Sequence, residues 1–257
     1  MIHLFALLSL LLCGVCYTGF QNSSHFHNTS NRRSLLLLVF GGALLLRLLL
    51  AYTTHGFSND IACFAAWADR IFTLGPGQFY SAEMFTDYPP GFMYVLYLIG
   101  ALRSLLQIPY YSDLHILLLK LPAILCDIAC GFLLYREAVK RLHFSDLQGI
   151  FAASAYLFQP AVILNSSCWG QVDSVYTLMI ILMCLFLMKG NLLPAYAVYG
   201  LGVLLKPQML IFTPVLLAGI WDHVFLQDFS WRKFFYNLCG GLVVICGMLL
   251  LCAPFGL

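Results

Sequence analysis

Four short polar motifs interrupt an otherwise apolar chain, and each carries side chains able to act on a substrate. Asp60 follows Ser58 and Asn59 and precedes Ile61, Phe64, Ala65, Trp67 and Ala68 at helical spacing. That pattern predicts a short helix with Ser58 or Asn59 as its cap and Asp60 in its first turn. The helix dipole favours a carboxylate there, which alone would explain a solvated aspartate. Phe64 and Trp67 on the same element would press it onto the membrane interface. Asp60 would then sit over the mouth of a helix bundle, able to take a proton or hold a substrate. Asp87-Tyr88-Pro89-Pro90 is stiff by composition. Pro89 biases Tyr88 to extended backbone, and Pro90 opens a helix without losing a hydrogen bond. A rigid entry turn accounts for the prolines; it also fixes Asp87 and Tyr88 where they can grip a sugar.

Trp169-Gly170-Gln171-Val172-Asp173-Ser174 joins two apolar runs. Asp173 or Ser174 can cap the following helix. An indole, an amide and a carboxylate are also the groups that bind a pyranose, the ring against its C–H face and Gln171 and Asp173 on its hydroxyls. Lys206-Pro207-Gln208 interrupts a further apolar region. A lysine that deep either snorkels to the interface or serves an anion such as phosphate, as intramembrane charges usually do. Arg47, five residues before the polar island 52–90, has the same two options. Lys120 and Asp127 are seven apart, about 10 Å along a helix, so they should share a face without pairing. Asp69 and Arg70 are expected as a surface pair, and His55 and His115 as polar loop residues. No metal-ligand spacing is present, and no cofactor is expected.

These motifs need a membrane scaffold. The chain is 61% hydrophobic and 9% charged, against about 25% charged residues in soluble domains. A net charge of +2 over 257 residues makes no basic surface for nucleic acid. Most of the ten cysteines lie inside apolar runs and should be small buried hydrophobes; Cys13 and Cys16 form a CxxC without polar company. Candidate spans are residues 2–20, 34–52, 114–135, 147–164, 174–188, 192–205, 209–221 and 234–251. The first is expected as a membrane helix, with a signal peptide as the alternative. The last is still apolar at Leu257, which suggests a chain truncated at its C-terminus. Residues 1–33 thus form a leader or first helix plus linker, and 34–257 the main module.

Charge bias sets the sides. Arg32-Arg33, the group Arg136, Lys140 and Arg141, Lys189, and Arg232-Lys233 should all be cytoplasmic. An even number of crossings must separate the first two groups, so the short run 91–102 should lie along the membrane. Residues 52–113 are then one external segment, 165–173 are external, and Lys206 is near the external end of its helix. The sequons at Asn22 and Asn28 would stay cytoplasmic and unglycosylated. The expected fold is all-α, a polytopic transmembrane bundle whose first external loop holds a membrane-hugging helix.

Taken together, Asp60-x6-Trp67-Ala, Gly75-Pro76 with Phe79-Tyr80, Asp87-Tyr88-Pro89-Pro90-Gly91, Trp169-Gly-Gln-Val-Asp173-Ser and Lys206-Pro-Gln208 resemble the GT-C superfamily of polytopic glycosyltransferases. The match is nearest to bacterial membrane proteins related to GPI mannosyltransferase II, and more distant from dolichyl-phosphate-glucose α-glucosyltransferases. It runs from about Arg33 to the C-terminus in motif order. The resemblance implies a GT-C-like fold and an inverting transfer of a hexose, mannose first and glucose as the alternative. The donor would be a polyprenyl (undecaprenyl or dolichyl) phosphate sugar, and the acceptor a hydroxyl of a glycan, glycolipid or protein. The active site would be external or luminal, in a bacterial cell membrane or, in a eukaryote, the endoplasmic reticulum. Asp60 takes the place of the general base, Lys206 or Arg47 that of the cation facing the phosphate. Asp87, Tyr88, Trp169, Gln171, Asp173 and Gln208 fall in substrate-binding positions. Relatives carry further helices beyond the point where this chain stops. Two other readings compete: a transporter or flippase for lipid-linked sugars, which predicts midplane sites on broken helices and internal repeats, and a structural subunit.

Overall fold

A computed structural model of the chain describes residues 2–22, 32–81, 85–227 and 229–256, with side chains from Leu7 onward. Eleven α-helices occur among them: α1 (Ile2–Asn22), α2 (Arg32–Thr53), α3 (Ser58–Leu74), α4 (Pro90–Leu105), α5 (Asp113–Lys140), α6 (Asp146–Leu157), α7 (Pro160–Ile163), α8 (Asp173–Met188), α9 (Leu192–Leu205), α10 (Thr213–Trp221) and α11 (Trp231–Cys252). No strand is found among the described residues. The second sequon, and Ser23 and Ser24 of the first, lie outside them.

Among the described residues, four helical segments are long and apolar enough to cross a membrane: Arg32–Thr53, Asp113–Lys140, Pro207–Leu226 and Trp231–Phe255. A fifth arises if Asp146–Leu157 and Pro160–Trp169, bent by 50°, count as one. This all-helical architecture is compatible with a multi-pass membrane protein. Among the eight candidate runs, several later ones form helices too short for a straight crossing, as their lengths indicate. α8 and α9, with 16 and 14 residues, reach about 24 and 21 Å against a hydrocarbon core of about 30 Å. The bend was not expected. Pro160 cannot continue α6, so the chain restarts at Pro160 as the first residue of α7 and passes into a wider turn, Leu164–Trp169.

The chain packs as two compact units, Met1–Ala62 with Tyr111–Ser174, and Cys63–Tyr110 with Val175–Leu257. In the first unit α5 packs on α2 and α6, and α1 on α6. Ala43 and Ala153 are fully buried beside Tyr135, Ile150 and Leu157. Small residues matter here because helices in lipid associate through close packing. Ser145 and Gln148 start α6 with a reciprocal capping box.

In the second unit α9 packs on α4 and α11 around Met183, Leu192, Ala195, Tyr196, Met209 and Leu216. A Cβ on Gly91 would lie 2.6 Å from Leu204 O, so only glycine lets the start of α4 rest on the α9 backbone. Tyr94 OH donates to Leu251 O at 2.8 Å, tying α4 to α11. Phe64 and Trp67 are 2% exposed and pack with Phe92 and Tyr88. They were expected at the membrane interface; helical spacing marks which residues share a face but not what covers it. α11 has no buried residue in its length, and Cys239 and Cys246 are exposed on it.

Candidate functional site

The first unit brings Asp60, Trp169 and Gln171 together. α3 begins at Ser58, one or two residues earlier than the expected caps would place it, which leaves Asp60 in its first turn. The wide turn after α7 ends at Gly170, whose φ of 87° is the left-handed region. A Cβ there would also meet Ile61 Cδ1 at 2.5 Å. This reversal carries Trp169 and Gln171 to either side of one carboxylate oxygen. Trp169 Nε1 donates to Asp60 Oδ2 at 3.1 Å, and Gln171 Nε2 donates to the same atom. Among the described residues Oδ1 accepts no hydrogen bond. The backbone below is pinned by Phe57 N–H to Trp169 O at 2.9 Å. The Phe57 ring lies 5.3 Å from the Trp169 ring, and half of Trp169 remains exposed. A half-bare indole can stack on a flat apolar ring face, and the carboxylate beside it can accept a proton.

Buried charge underlies this trio. Lys120 has no exposure, and its Nζ donates to Ala51 O at 3.2 Å, Thr54 O at 2.6 Å and Thr54 Oγ1 at 3.1 Å. These carbonyls are the open end of α2, where a cation is favoured. Thr54 Oγ1, donating to Leu50 O at 2.7 Å, also lies 3.3 Å from Ser167 O. Lys120 Cε is 3.3 Å from a Cβ placed on Gly170. The ammonium therefore holds the end of α2 and Thr54, and Thr54 in turn reaches the segment that carries Trp169.

Arg47 corrects the snorkelling expectation. Its side chain is fully buried, and Nε donates to Asp127 Oδ2 at 3.1 Å. Asp127 also accepts from Ser166 at 2.6 Å, Ser174 at 2.5 Å and Tyr156 at 3.2 Å. Ser174 thus serves Asp127 instead of capping α8, which starts at Asp173. Four donors on one buried carboxylate compensate its lost hydration. Arg47 Nη2 is buried without a hydrogen-bond partner among the described residues. Asp173 turns to Asn165, whose Nδ2 donates to it at 2.9 Å. Lys120 and Asp127 do not pair, as their spacing predicts.

The second unit gathers Lys206 and Tyr88. α9 ends at Leu205 because Pro207 follows, and Lys206 takes extended backbone, φ −154° and ψ 123°. Its Nζ lies 5.6 Å from the Tyr88 ring and 5.7 Å from the Tyr176 ring, two cation–π contacts. Lys206 is 6% exposed, so snorkelling into water does not describe it. Tyr88 stacks with Phe64, Trp67 and Phe92, and its carbonyl accepts from Tyr80 OH at 2.9 Å. Burial first, and then the nearby Cys252 thiol, push the Tyr80 phenol up to about 12, so it stays a donor at neutral pH. Asp87 and Gln208 are exposed.

Other expectations change partners. Asp69 pairs with Arg103, not Arg70, and Arg70 donates to Phe79 O at 2.8 Å and Gln78 O at 3.0 Å. His115 is buried in the first turn of α5, where Ser112 is the cap, and is no loop residue. His55 lies 3.6 Å from Asp113. Thr54, Tyr156, Ser166 and Tyr176 were missed; a carboxylate in an apolar run calls for buried donors, which Tyr156 and Ser166 supply to Asp127. Among the described residues no three His, Cys, Asp or Glu side chains gather as metal ligands. Comparison with protein-family models and with curated proteins finds no match for this chain.

Proposed function

We propose that this chain is a GT-C-like membrane glycosyltransferase that moves a hexose from a polyprenyl-phosphate donor to an acceptor hydroxyl with inversion. The observation that carries the reading is the meeting of Asp60 with Trp169 and Gln171, 109 and 111 positions away. In the reaction the acceptor oxygen attacks the anomeric carbon while the sugar–phosphate C–O bond breaks. The acceptor proton goes to Asp60, and polyprenyl phosphate leaves as an anion. Trp169 stacks on a pyranose and Gln171 orients the carboxylate. The leaving phosphate is already a stable anion, so no general acid is required; Lys206 is the cation the reading assigns to it.

Transfer from radiolabelled polyprenyl-phosphate-mannose or -glucose, measured in membranes for wild type and Asp60→Asn, tests this directly. A loss of about 10²–10⁴-fold is expected for a general base. Equal turnover of the two proteins removes Asp60 from that role. One observation favours the transporter reading instead: α6 and α7 form a bent, broken helix of 50°. Proteoliposomes that move a labelled lipid-linked sugar across the bilayer, with no glycosylated product, would support it.

A further inference from the structure

The second unit has another concavity, at the far end of α9 from Lys206. Two turns meet there, Gly190-Asn191 between α8 and α9 and Asp222–Leu226 after α10. A Cβ on Gly190 would lie 2.9 Å from His223 Cε1, so the turns are in contact. They border an open pocket of about 550 Å³ whose polar lining includes Asn191, His223, Ser230, Arg232, Lys233 and Asn237. An apolar groove of about 400 Å³ adjoins it between α9, α10 and α11, with walls that include Tyr199, Leu216, Phe225, Phe234 and Met248. Asn237 lines both. It is held there by its Nδ2 on Lys233 O at 2.8 Å and by Tyr196 OH on its Oδ1 at 3.4 Å. The groove follows α11 from Asn237 to Met248, about 16 Å at the helical rise.

An apolar face on a membrane helix is unremarkable by itself. What selects an occupant here is an apolar groove and a pocket lined by two basic side chains, with Asn237 in the wall of both. Arg232 and Lys233 stand in the first turn of α11, where the helix dipole adds to their field. A phosphate suits that end, and guanidinium and ammonium groups bind it with charge-assisted hydrogen bonds. A hydrocarbon chain suits the other. By charge bias these turns belong to the cytoplasmic face, the leaflet side on which basic segments meet anionic headgroups. We infer that this end of the second unit binds an anionic glycerophospholipid. Its phosphate lies on Arg232 and Lys233, and one acyl chain lies in the groove between α9, α10 and α11. The site is at the opposite end of α9 from Lys206, so it does not depend on the transferase reading.

The test uses the full chain in phosphatidylcholine nanodiscs containing a trace of photoreactive phosphatidylglycerol or, separately, photoreactive phosphatidylcholine. The glycerol lipid should label α9, α10 and α11 peptides selectively. Arg232→Gln with Lys233→Gln should weaken its apparent affinity about thirtyfold, the effect of two cations at a membrane surface. Gly241 borders the groove, and a Cβ there meets nothing within 4 Å. Gly241→Phe should therefore fill the groove and abolish labelling, while Gly241→Ala keeps it, which separates occlusion from misfolding. Equal labelling by both lipids, or unchanged labelling in Gly241→Phe, overturns the proposal. So does glycerol phosphate competing as well as the intact lipid, which would make this a pocket for a free anion. Disulfide-linked dimers through Asn237→Cys that exclude the probe would assign the groove to a second copy and overturn it too.

Discussion

Asp60 and Trp169 stand 109 positions apart and meet through a 3.1 Å hydrogen bond from the indole N–H to one carboxylate oxygen. The indole thus has two separable parts, a donor that fixes the carboxylate and a ring that remains half bare. Trp169→Phe removes the first and keeps the second. In steady-state transfer assays it should lower kcat by up to about tenfold with KM little changed, the worth of one hydrogen bond. Trp169→Ala should raise KM as well. A silent Trp169→Phe would mean that the indole does not orient Asp60.

The Arg47–Asp127 pair predicts strong non-additivity. Arg47→Met leaves Asp127 charged in the interior and should destabilise the first unit by about 3–5 kcal/mol. Adding Asp127→Asn removes that charge; its carbonyl oxygen can still accept from Ser174 and Tyr156 while its amide nitrogen donates to Ser166 Oγ. The double variant should therefore unfold at a higher temperature in detergent than Arg47→Met alone. Additive losses would show that the two charges do not depend on each other.

Lys120 should act on the Trp169 turn without touching a ligand. Lys120→Met keeps the apolar stem and frees the carbonyls of Ala51 and Thr54, a loss of about 2 kcal/mol for hydrogen bonds to a charge. Gly170→Ala strains the same turn from the other side, at φ 87° and against Ile61. Both should raise hydrogen exchange at the Phe57 amide, which donates to Trp169 O. Unchanged exchange in Lys120→Met would mean the ammonium does not hold the turn.

Tyr80 gives the second unit an alkaline limit. Its folded value of about 12 lies above the ordinary 10.0. A raised value means that its contribution is full below pH 10 and is lost as pH climbs towards 12. Tyr80→Phe should flatten stability over that window, seen by thermal unfolding at a series of pH values. The same slope in both proteins would assign the alkaline loss to other groups.

Much of the helix map was legible because this chain punctuates itself. Residues 192–205 were expected as an apolar run and form α9 with those bounds, closed by Pro207. Pro89-Pro90 announced the start of α4. The motifs also placed Asp60, Trp169 and Gln171 in one functional set. What stayed hidden depends on how helices are rotated against one another. Arg47, Lys120 and Asp127 each stood out as charges in apolar runs, yet nothing local says that Arg47 takes Asp127 while Lys120 takes the end of α2. Asp69 and Arg70 are neighbours in sequence, but adjacent helical residues do not face each other, and Asp69 finds Arg103 on α4. The bend before Pro160 was overlooked because the apolar runs on either side of Gln159-Pro160 together have the length of one span.

Gly91 has an implication for how this protein can vary. With the first turn of α4 seated on Leu204 O, Tyr88 and Lys206 are each within a few residues of the same backbone junction. Their separation is set by that junction and not by the chain that leads into it. An insertion or epitope tag ahead of α3, which leaves the Phe64, Trp67 and Tyr80 contacts to Tyr88 intact, should keep the aromatic–ammonium geometry in register. One methyl group at position 91 would dislocate it.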